Sequence, residues 1–486
     1  MSEQETNNAA VEKTDDKFFR TRKGDTIGNT PKRQRIIQKE QDTRILGEDG
    51  NPLYANEERK PKRKIALMMG YSGAGYHGMQ LNPPAKTIEG ELFNAMIEAG
   101  AISKNNSNDL KKSGFMRAAR TDKGVHAAGN MVSLKMIVED EDIVEKINKA
   151  LPDQIRVWGY QRVNKAFDCR KMCSSRVYEY LIPTYSFLPP RPGTVLGRMI
   201  DQAEKEFPGT TRDDPLGKKF WSNVMAECDS QGVTEYDLEQ IFEAHRMELE
   251  VAIPLQQAEQ KFKKILLDSQ QDYRIDNERL GLIREALKIY EGAHNFHNFT
   301  LGKPPTDPSA KRHLFSINVS DPFLIDKTEW ISIKLHGQSF MLHQIRKMIG
   351  MIALVIRTGC PLERIREAFQ PAKINIPKAP ALGLLLEQPV YTGYNPKLQK
   401  FGFDPLNFEK FEKEMNEFKQ KFIYDRIFQE ENEERTFHQF FTFIDGFNGV
   451  DNASGTPIFQ FLTARGIQEK SEQPKTVSEK PKVNDS

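Results

Sequence analysis

The sequence predicts an α+β fold made of two similar halves, each built on an antiparallel sheet. Short apolar runs with β-branched and aromatic residues predict strands in two groups, with Ile65–Tyr71, Met131–Met136, Ile155–Tyr160 and Val177–Ile182 in the first and Trp330–His336 in the second. Apolar residues at helical spacing fill the stretch from 235 to 290 between the two groups. Strands and helices that occupy separate stretches in this way are typical of an α+β domain.

Each half also predicts helices that pack on its sheet. In the first half, Thr87 is suited to cap a helix, and the apolar face of that helix consists of Ile88, Leu92, Met96 and Ala99. A second amphipathic helix carries Ile143, Ile147 and Leu151. In the second half, Arg346 and Lys347 lie near the start of a long helix, beside its apolar face. That face is formed by Ile345, Met348, Ile349, Ile352, Val355 and Ile356.

Shifts in composition predict six segments along the chain. They are a disordered basic tail (1–62), an N-terminal half (63–188), an insertion that is largely helical in its second part (189–290), a C-terminal half (291–394), a helical extension (395–465) and a disordered tail (466–486). The first part of the insertion is rich in Pro, Gly and acidic residues, which predicts surface elaboration. An acidic run in the extension is predicted to be solvated, and it consists of Glu430, Glu431, Glu433 and Glu434.

Composition narrows the class of protein. The 486 residues include 28% charged side chains, the mean hydropathy is −0.62, and no apolar run reaches the roughly 18 residues that a membrane helix needs. The N-terminal sequence does not have the pattern of a signal peptide. The four cysteines, Cys169, Cys173, Cys228 and Cys360, lack a paired Cys-x-x-Cys spacing, as expected in a reducing compartment. With a formal net charge of only +2, an anionic partner would have to be bound by a local basic face.

A glycine pattern after the first strand could be mistaken for a dinucleotide-binding loop. Gly73-Ala74-Gly75-Tyr76-His77-Gly78 matches Gly-x-Gly-x-x-Gly, and a strand precedes it, as that motif requires. In a dinucleotide site the third glycine opens a helix that packs closely on the strand. Here Pro83 and Pro84 follow within a few residues and block helix propagation. An oxidoreductase with a nucleotide cofactor is therefore a remote alternative.

The loop before the second strand carries the most reactive arrangement in the chain. In Arg120-Thr121-Asp122-Lys123-Gly124, a carboxylate lies between two cations, and a glycine follows at once. A nearby cation favours the ionised form of a carboxylate, which can then act as a nucleophile or a base. A surface loop with a local ion pair is the simpler interpretation, because charged loops are common.

Several motifs resemble those of the TruA family of pseudouridine synthases, and they occur in the family's order. Arg120-Thr121-Asp122-Lys123-Gly124-Val125-His126-Ala127 resembles the family's catalytic signature. The other matching blocks are Tyr71–Gln80, Arg176-Val177-Tyr178-Glu179-Tyr180, Gly292–Phe299, Phe340–Gly350 and Ala379–Leu386. Together they extend from about 64 to 394 and are most similar to the eukaryotic, fungal-type branch. Cys169-Arg170 departs from the family's usual Ala-Arg, and the insertion and the extension are not described by the bacterial pattern.

This resemblance implies a fold of two pseudo-symmetric halves around a central catalytic cleft. It implies Asp122 as the catalytic carboxylate, Arg346 as its partner, and Tyr178 as a catalytic residue that packs against the target uracil. Arg120 is expected to help fill the gap left by the flipped base, while Leu384 and Leu386 are expected to line the uracil pocket. The expected partner is tRNA, with small nuclear RNA and mRNA as further substrates, and the expected state is a monomer. The insertion helices either pack within the protein or act as a clamp on the RNA, and packing is the simpler interpretation.

The resemblance also bears on cofactors, location and the alternatives. Isomerisation needs no cofactor. A structural zinc has been associated with this branch, but the histidines of the chain offer no compact ligand set. Structural roles are therefore assigned to His126, His294, His297 and His343. Two basic clusters predict a nuclear localisation signal, namely Lys32-Arg33-Gln34-Arg35 and Lys60–Lys64. An auxiliary RNA contact and a plain solvated tail are alternatives. A catalytically inactive RNA-binding protein of the same fold would be expected to have lost Asp122 or Tyr178, and both are present.

Overall fold

A computed structural model describes residue 54 and residues 57–247, 249–447 and 458–462. The described strands form one twisted sheet of ten strands. They are β1 (Lys62–Tyr71), β2 (Met116–Arg117), β3 (His126–Ile137), β4 (Ile155–Arg162), β5 (Ser175–Pro183), β6 (Gly292–Asn295), β7 (Lys311–Val319), β8 (Phe323–Ile325), β9 (Thr328–Gly337) and β10 (Leu384–Val390). The α+β fold predicted from the sequence is confirmed.

The order of the strands joins the two halves of the chain in the middle of the sheet. That order is β4-β1-β3-β10-β5-β9-β7-β6, with β2 added on β3 and β8 on β9. The late strand β10 lies between β3 and β5, parallel to β3 and antiparallel to β5. Every other pairing between named strands is antiparallel. The loop that carries Asp122 leads into β3, so the centre of the sheet positions it.

Helices cover the sheet and build the insertion and the extension. The described α-helices are α1 (Ile88–Glu98), α2 (Ile143–Ala150), α3 (Val195–Glu206), α4 (Pro215–Ser230), α5 (Glu235–Arg246), α6 (Ile253–Asp272), α7 (Asn277–Lys288), α8 (Gln344–Thr358), α9 (Glu363–Glu367), α10 (Asn395–Lys400), α11 (Glu412–Phe418), α12 (Asp425–Glu434), α13 (Thr436–Gly446) and α14 (Ile458–Leu462). A π-helical turn, Lys419–Tyr424, joins α11 to α12. As predicted, Thr87 caps α1, because its side chain accepts a hydrogen bond from the backbone N–H of Gly90.

The core runs continuously through both halves, and α8 is its most buried helix. All but one of the fifteen residues of α8 are buried, and the exception is Arg346. In the insertion, α4, α5 and α6 bury a smaller apolar cluster of their own, which includes Trp221, Leu238 and Ile265. The insertion helices therefore pack against one another, which agrees with the simpler of the two predictions. No helix among the described residues has the length and apolarity needed to cross a bilayer.

The structure differs from the sequence analysis in the first part of the insertion. Where surface elaboration was predicted, α3 and α4 form, each with a side chain that caps its first turn. One of the prolines on which that prediction rested, Pro215, occupies the first turn of α4. Proline is tolerated there because the N–H groups of the first turn have no partner within the helix.

The second basic cluster is part of the sheet and not of a tail. Lys62, Arg63 and Lys64 are the first three residues of β1 and pair with residues 135–137 of β3. The ammonium group of Lys62 donates a hydrogen bond of 2.8 Å to Ser103 Oγ. The first cluster, at 32–35, and the predicted C-terminal tail lie outside the described residues.

The acidic run in the extension is not solvated throughout. Glu431 is fully buried, accepts a hydrogen bond from the Tyr185 hydroxyl, and accepts a second one of 2.9 Å from the backbone N–H of Phe437. Burial raises the pKa of Glu431 to about 7. Nearby, Arg357 of α8 donates to both carboxylate oxygens of Asp445 in α13, each at 2.6 Å. These polar contacts attach the extension to the core, and among them the burial of Glu431 corrects the prediction that the acidic run is solvated.

Candidate active site

The Asp122 loop between β2 and β3 is fixed by contacts on both sides of the carboxylate. The Thr121 and Tyr71 hydroxyls are hydrogen-bonded at 2.9 Å, and the Thr121 carbonyl accepts from the Met79 N–H at 3.2 Å. Gly124 has a φ of 77°, a left-handed conformation that glycine adopts without strain. The glycine therefore permits the sharp turn by which the chain leaves Asp122 and enters β3.

The glycine pattern after β1 supports this loop instead of binding a nucleotide. A Cβ atom added at Gly78 would lie 2.6 Å from the Thr121 carbonyl oxygen, so only glycine allows the two segments to approach. The chain after Gly78 is turn and loop, and α1 begins only at Ile88. A dinucleotide site needs a helix that opens at the third glycine, so this alternative is excluded by the position of α1.

Asp122 lines a cavity of about 890 Å³ in which most of the charged lining residues are positive. Among the described residues that line it, Asp122 is the only carboxylate, whereas five arginines contribute, namely Arg117, Arg120, Arg170, Arg176 and Arg312. Arginines in a cleft bind phosphate groups by charge and by hydrogen bonds. The local basic face expected from the near-zero net charge therefore surrounds the predicted catalytic loop.

Tyr178 lines the same cavity from the middle of β5. Burial raises the pKa of its hydroxyl to about 12, so the ring is neutral near physiological pH. Its ring meets the ring of Phe340 edge-on, with 5.1 Å between the centroids. Such a neutral, fixed aromatic ring is suited to stack on a nucleobase.

The predicted pocket leucines lie next to this ring on β10. Leu386 is paired in register with Tyr178, and Leu384 lines the cavity. Leu386 is fully buried and is not among the described residues that line the cavity. Arg120, by contrast, is exposed at the cavity wall, where an incoming RNA strand can reach it.

The partner of the Asp122 carboxylate in the structure is a histidine. Nδ1 of His343, directly before α8, lies 2.9 Å from Asp122 Oδ2. Arg346, the predicted partner, is one turn further along and donates from Nε to the Ala379 carbonyl at 2.7 Å. In the part of the chain that the structure describes, no ion pair joins Arg346 to Asp122. A catalytic role for Arg346 stays a prediction, with the side chain near the site but bound to the backbone.

Several residues of the cavity were missed from the sequence. His343 was weighed as a zinc ligand and assigned a structural role, although it lies three residues before Arg346 in the same motif. Arg176 had a signal that was not used: it precedes Tyr178 by two residues in a strand, and such residues face the same side of a sheet. Arg312 lies on β7, and its sequence surroundings give no hint that it lines the same cavity as Asp122.

A structural zinc needs several His, Cys, Asp or Glu side chains close together. No group of three or more His, Cys, Asp or Glu side chains in the described part of the chain could hold a metal ion. His297 is buried and His294 stacks on Phe369 with 4.3 Å between the ring centroids, as expected for structural roles.

Comparison with known proteins identifies the family. Residues 286–392 match the family model described as tRNA pseudouridine synthase. The chain is 56% identical to tRNA pseudouridine synthase 1 of Yarrowia lipolytica, an alignment that covers 88% of this chain and 83% of the relative. It is 52% identical to tRNA pseudouridine synthase 1 of Saccharomyces cerevisiae, with 89% and 82% covered. The tRNA pseudouridine(27/28) synthase of the same yeast is 40% identical, with 77% and 97% covered.

These relatives align over most of both chains. The predicted resemblance to a fungal-type branch is confirmed by the names of the first two relatives. The chain therefore belongs to the TruA family of tRNA pseudouridine synthases, isomerases that work without a cofactor.

Proposed function

We propose that the cavity around Asp122 converts uridines at several positions of tRNA to pseudouridine, with Asp122 as the catalytic carboxylate. One observation carries this assignment: a single carboxylate, beside a neutral aromatic ring, lies in a cavity lined by five arginines. RNA needs the positive charge for its phosphates, and a flipped base needs the ring. The cavity thus contains both groups that the reaction needs, a carboxylate that can act as nucleophile or base and an aromatic surface for stacking.

The reaction is an isomerisation, and its balance requires no co-reactant. The bond between N1 of uracil and C1′ of the ribose breaks, the uracil turns, and a bond forms between C5 and C1′. The proton on C5 is lost and N1 gains a proton, so nothing is oxidised or reduced. The target base must first leave its stack, which costs a few kcal/mol. Stacking on Tyr178 offsets about 1–3 kcal/mol of that cost.

Asp122 can take part in three ways, and all three need an ionised, oriented carboxylate. It can attack C1′ of the ribose, attack the uracil ring, or remove the ribose proton next to C1′. In each case a carboxylate oxygen must approach the nucleoside. Oδ1 has no hydrogen bond within the described part of the chain, while Oδ2 is bound to His343. We therefore assign the chemistry to Oδ1.

A direct assay tests the proposed function. We expect tRNA transcripts incubated with the purified protein to gain pseudouridine without any added cofactor, because the cavity supplies the carboxylate and the phosphate contacts by itself. Nucleoside chromatography measures the product, and carbodiimide mapping locates it. Modification at two or more positions supports the multisite proposal. A protein that binds tRNA but forms no pseudouridine would instead be the inactive RNA-binding alternative.

We extend the proposal to small nuclear RNA and mRNA as substrates, and to action as a monomer. The wide, arginine-lined cavity recognises phosphate and an extruded base, and both occur in any folded RNA. Asp122, Tyr178 and His343 line one cavity within a single chain, which supports catalysis by one copy. The same mapping assay on small nuclear RNA and mRNA fragments tests the first extension. Analytical ultracentrifugation of the active protein tests the second.

We also propose that the protein is nuclear and that its nuclear localisation signal is Lys32-Arg33-Gln34-Arg35. The other basic cluster is unsuited, since Lys62–Lys64 are strand residues. We expect a fluorescent fusion with Lys32, Arg33 and Arg35 replaced by Ala to spread into the cytoplasm, because basic clusters are read as nuclear addresses. Replacing the exposed Lys397 and Lys400 by Ala is the matched control. Nuclear accumulation that survives the first set of changes contradicts this location for the signal.

A further inference from the structure

The segment before α8 holds His343 in a conformation that is unusual for a residue with a side chain. Its φ is 61°, in the left-handed region. Hydrogen bonds on either side maintain this turn: Gln344 Oε1 accepts from the Met341 N–H at 2.9 Å, and Thr300 Oγ1 donates to the Leu342 carbonyl at 3.0 Å. The His343 carbonyl accepts from the Lys347 N–H at 3.0 Å, which begins the helix. These bonds fix the backbone from which the imidazole extends, and the imidazole itself is hydrogen-bonded to Asp122.

The imidazole links the two halves of the chain at the carboxylate. His343 Nδ1 and Asp122 Oδ2 are 2.9 Å apart, although the two residues are separated by 221 positions in the sequence. An ionised carboxylate can only accept a hydrogen bond, so Nδ1 carries the proton and donates. The side chains of His343 and Asp122 are 16% and 24% exposed, so the bond is largely shielded from water. Shielding strengthens a hydrogen bond to a charged group.

We propose that His343 is a positioning residue that holds one oxygen of Asp122 and thereby aims the other at the nucleoside. This inference rests on the proposed function, in which Asp122 is the catalytic carboxylate. A loop carboxylate without such a bond rotates about its side-chain torsions, and small misplacements of a reacting group are costly. Because the donor comes from the second half of the chain, the orientation of Asp122 depends on the joining of both halves.

Neutral imidazole is a suitable partner for a group that must react. Burial lowers the pKa of His343, although Asp122 acts in the opposite direction; Lys378 and Arg346, the other charged groups that influence it, act with burial. A neutral donor orients the carboxylate without cancelling its charge. Arg346, whose Nε is bound to the Ala379 carbonyl, is therefore not required as the orienting group.

Two substitutions separate the donor from the backbone conformation. His343→Asn keeps an N–H donor close to the position of Nδ1, and asparagine tolerates the left-handed conformation. His343→Gly removes the donor but also tolerates that conformation. Asp326→Gly is the matched control, because Asp326 has a φ of 52° in the turn between β8 and β9 and does not line the cavity. Melting temperatures of all variants show that the fold is intact.

We expect the single-turnover rate of His343→Gly on tRNA to fall by about 10- to 100-fold, because a hydrogen bond to a charged group is lost. The dissociation constant for tRNA should stay within a few-fold of the parent value, since the arginines are unchanged. His343→Asn should recover most of the rate, and Asp326→Gly should match the parent. A parental rate in His343→Gly, or an equally slow His343→Asn, contradicts the positioning role. Activity in Asp122→Asn measured alongside would instead contradict the proposed role of Asp122, so the two failures are distinguishable.

Discussion

Replacing Asp122 by Asn is expected to abolish pseudouridine formation and to leave tRNA binding within a few-fold of the parent. The amide has nearly the same size as the carboxylate but carries no charge, so it can neither attack a carbon atom nor remove a proton. Binding survives because it rests on many phosphate contacts, to which a carboxylate contributes nothing attractive. Product is measured by nucleoside chromatography after long incubation, and binding by filter retention or anisotropy.

Asp153→Asn provides the matched control for this experiment. Asp153 is 83% exposed and pairs with Arg156 on the surface, and it does not line the cavity. The same chemical change there should leave turnover at the parent level. Pseudouridine formed by pure Asp122→Asn protein would return the loop to the simpler interpretation, a surface turn with a local ion pair.

Replacing Tyr178 by Leu is expected to slow single turnover by about 10- to 100-fold, with a smaller change in tRNA binding. Base–aromatic stacking stabilises an extruded base by roughly 1–3 kcal/mol, and leucine supplies no flat surface for it. Most of the binding energy for the RNA comes from phosphate contacts elsewhere in the cavity, so the dissociation constant is less affected. Quenched-flow or manual single-turnover assays with saturating enzyme measure the rate of the first conversion.

Tyr178→Phe and the neighbouring Phe340 test whether the ring itself is responsible. Tyr178→Phe keeps the ring and its edge-on contact with Phe340, so it should retain most of the rate. Phe340→Leu removes only the supporting contact and should cause an intermediate loss. If Tyr178→Leu modified tRNA at the parent rate, the stacking role would be wrong. If Tyr178→Phe were as slow as Tyr178→Leu, the hydroxyl and not the ring would be the important group.

The sequence by itself determined the local elements and the reactive loop. Apolar periodicity was sufficient for β1, β3, β5, β9 and α8, because each buries a face whose spacing matches its secondary structure. The cap at Thr87 was predicted for the same kind of reason, since its chemistry is confined to neighbouring residues. The family motifs identified Asp122 and Tyr178 as candidate catalytic residues. The composition of the first part of the insertion did not predict α4, because the effect of a proline such as Pro215 depends on its position within a helix.

The tertiary structure alone decided which distant residues meet. Antiparallel pairing of β10 with β5 places Leu386 opposite Tyr178 and Leu384 opposite Tyr180, and no local pattern encodes a pairing between strands so far apart in the chain. Likewise, Glu431 belongs to an acidic run that looks solvated, yet packing buries it against Tyr185. The bond between His343 and Asp122 joins the two halves of the chain. Such contacts arise from how the sheet is assembled, and local propensity carries no information about them.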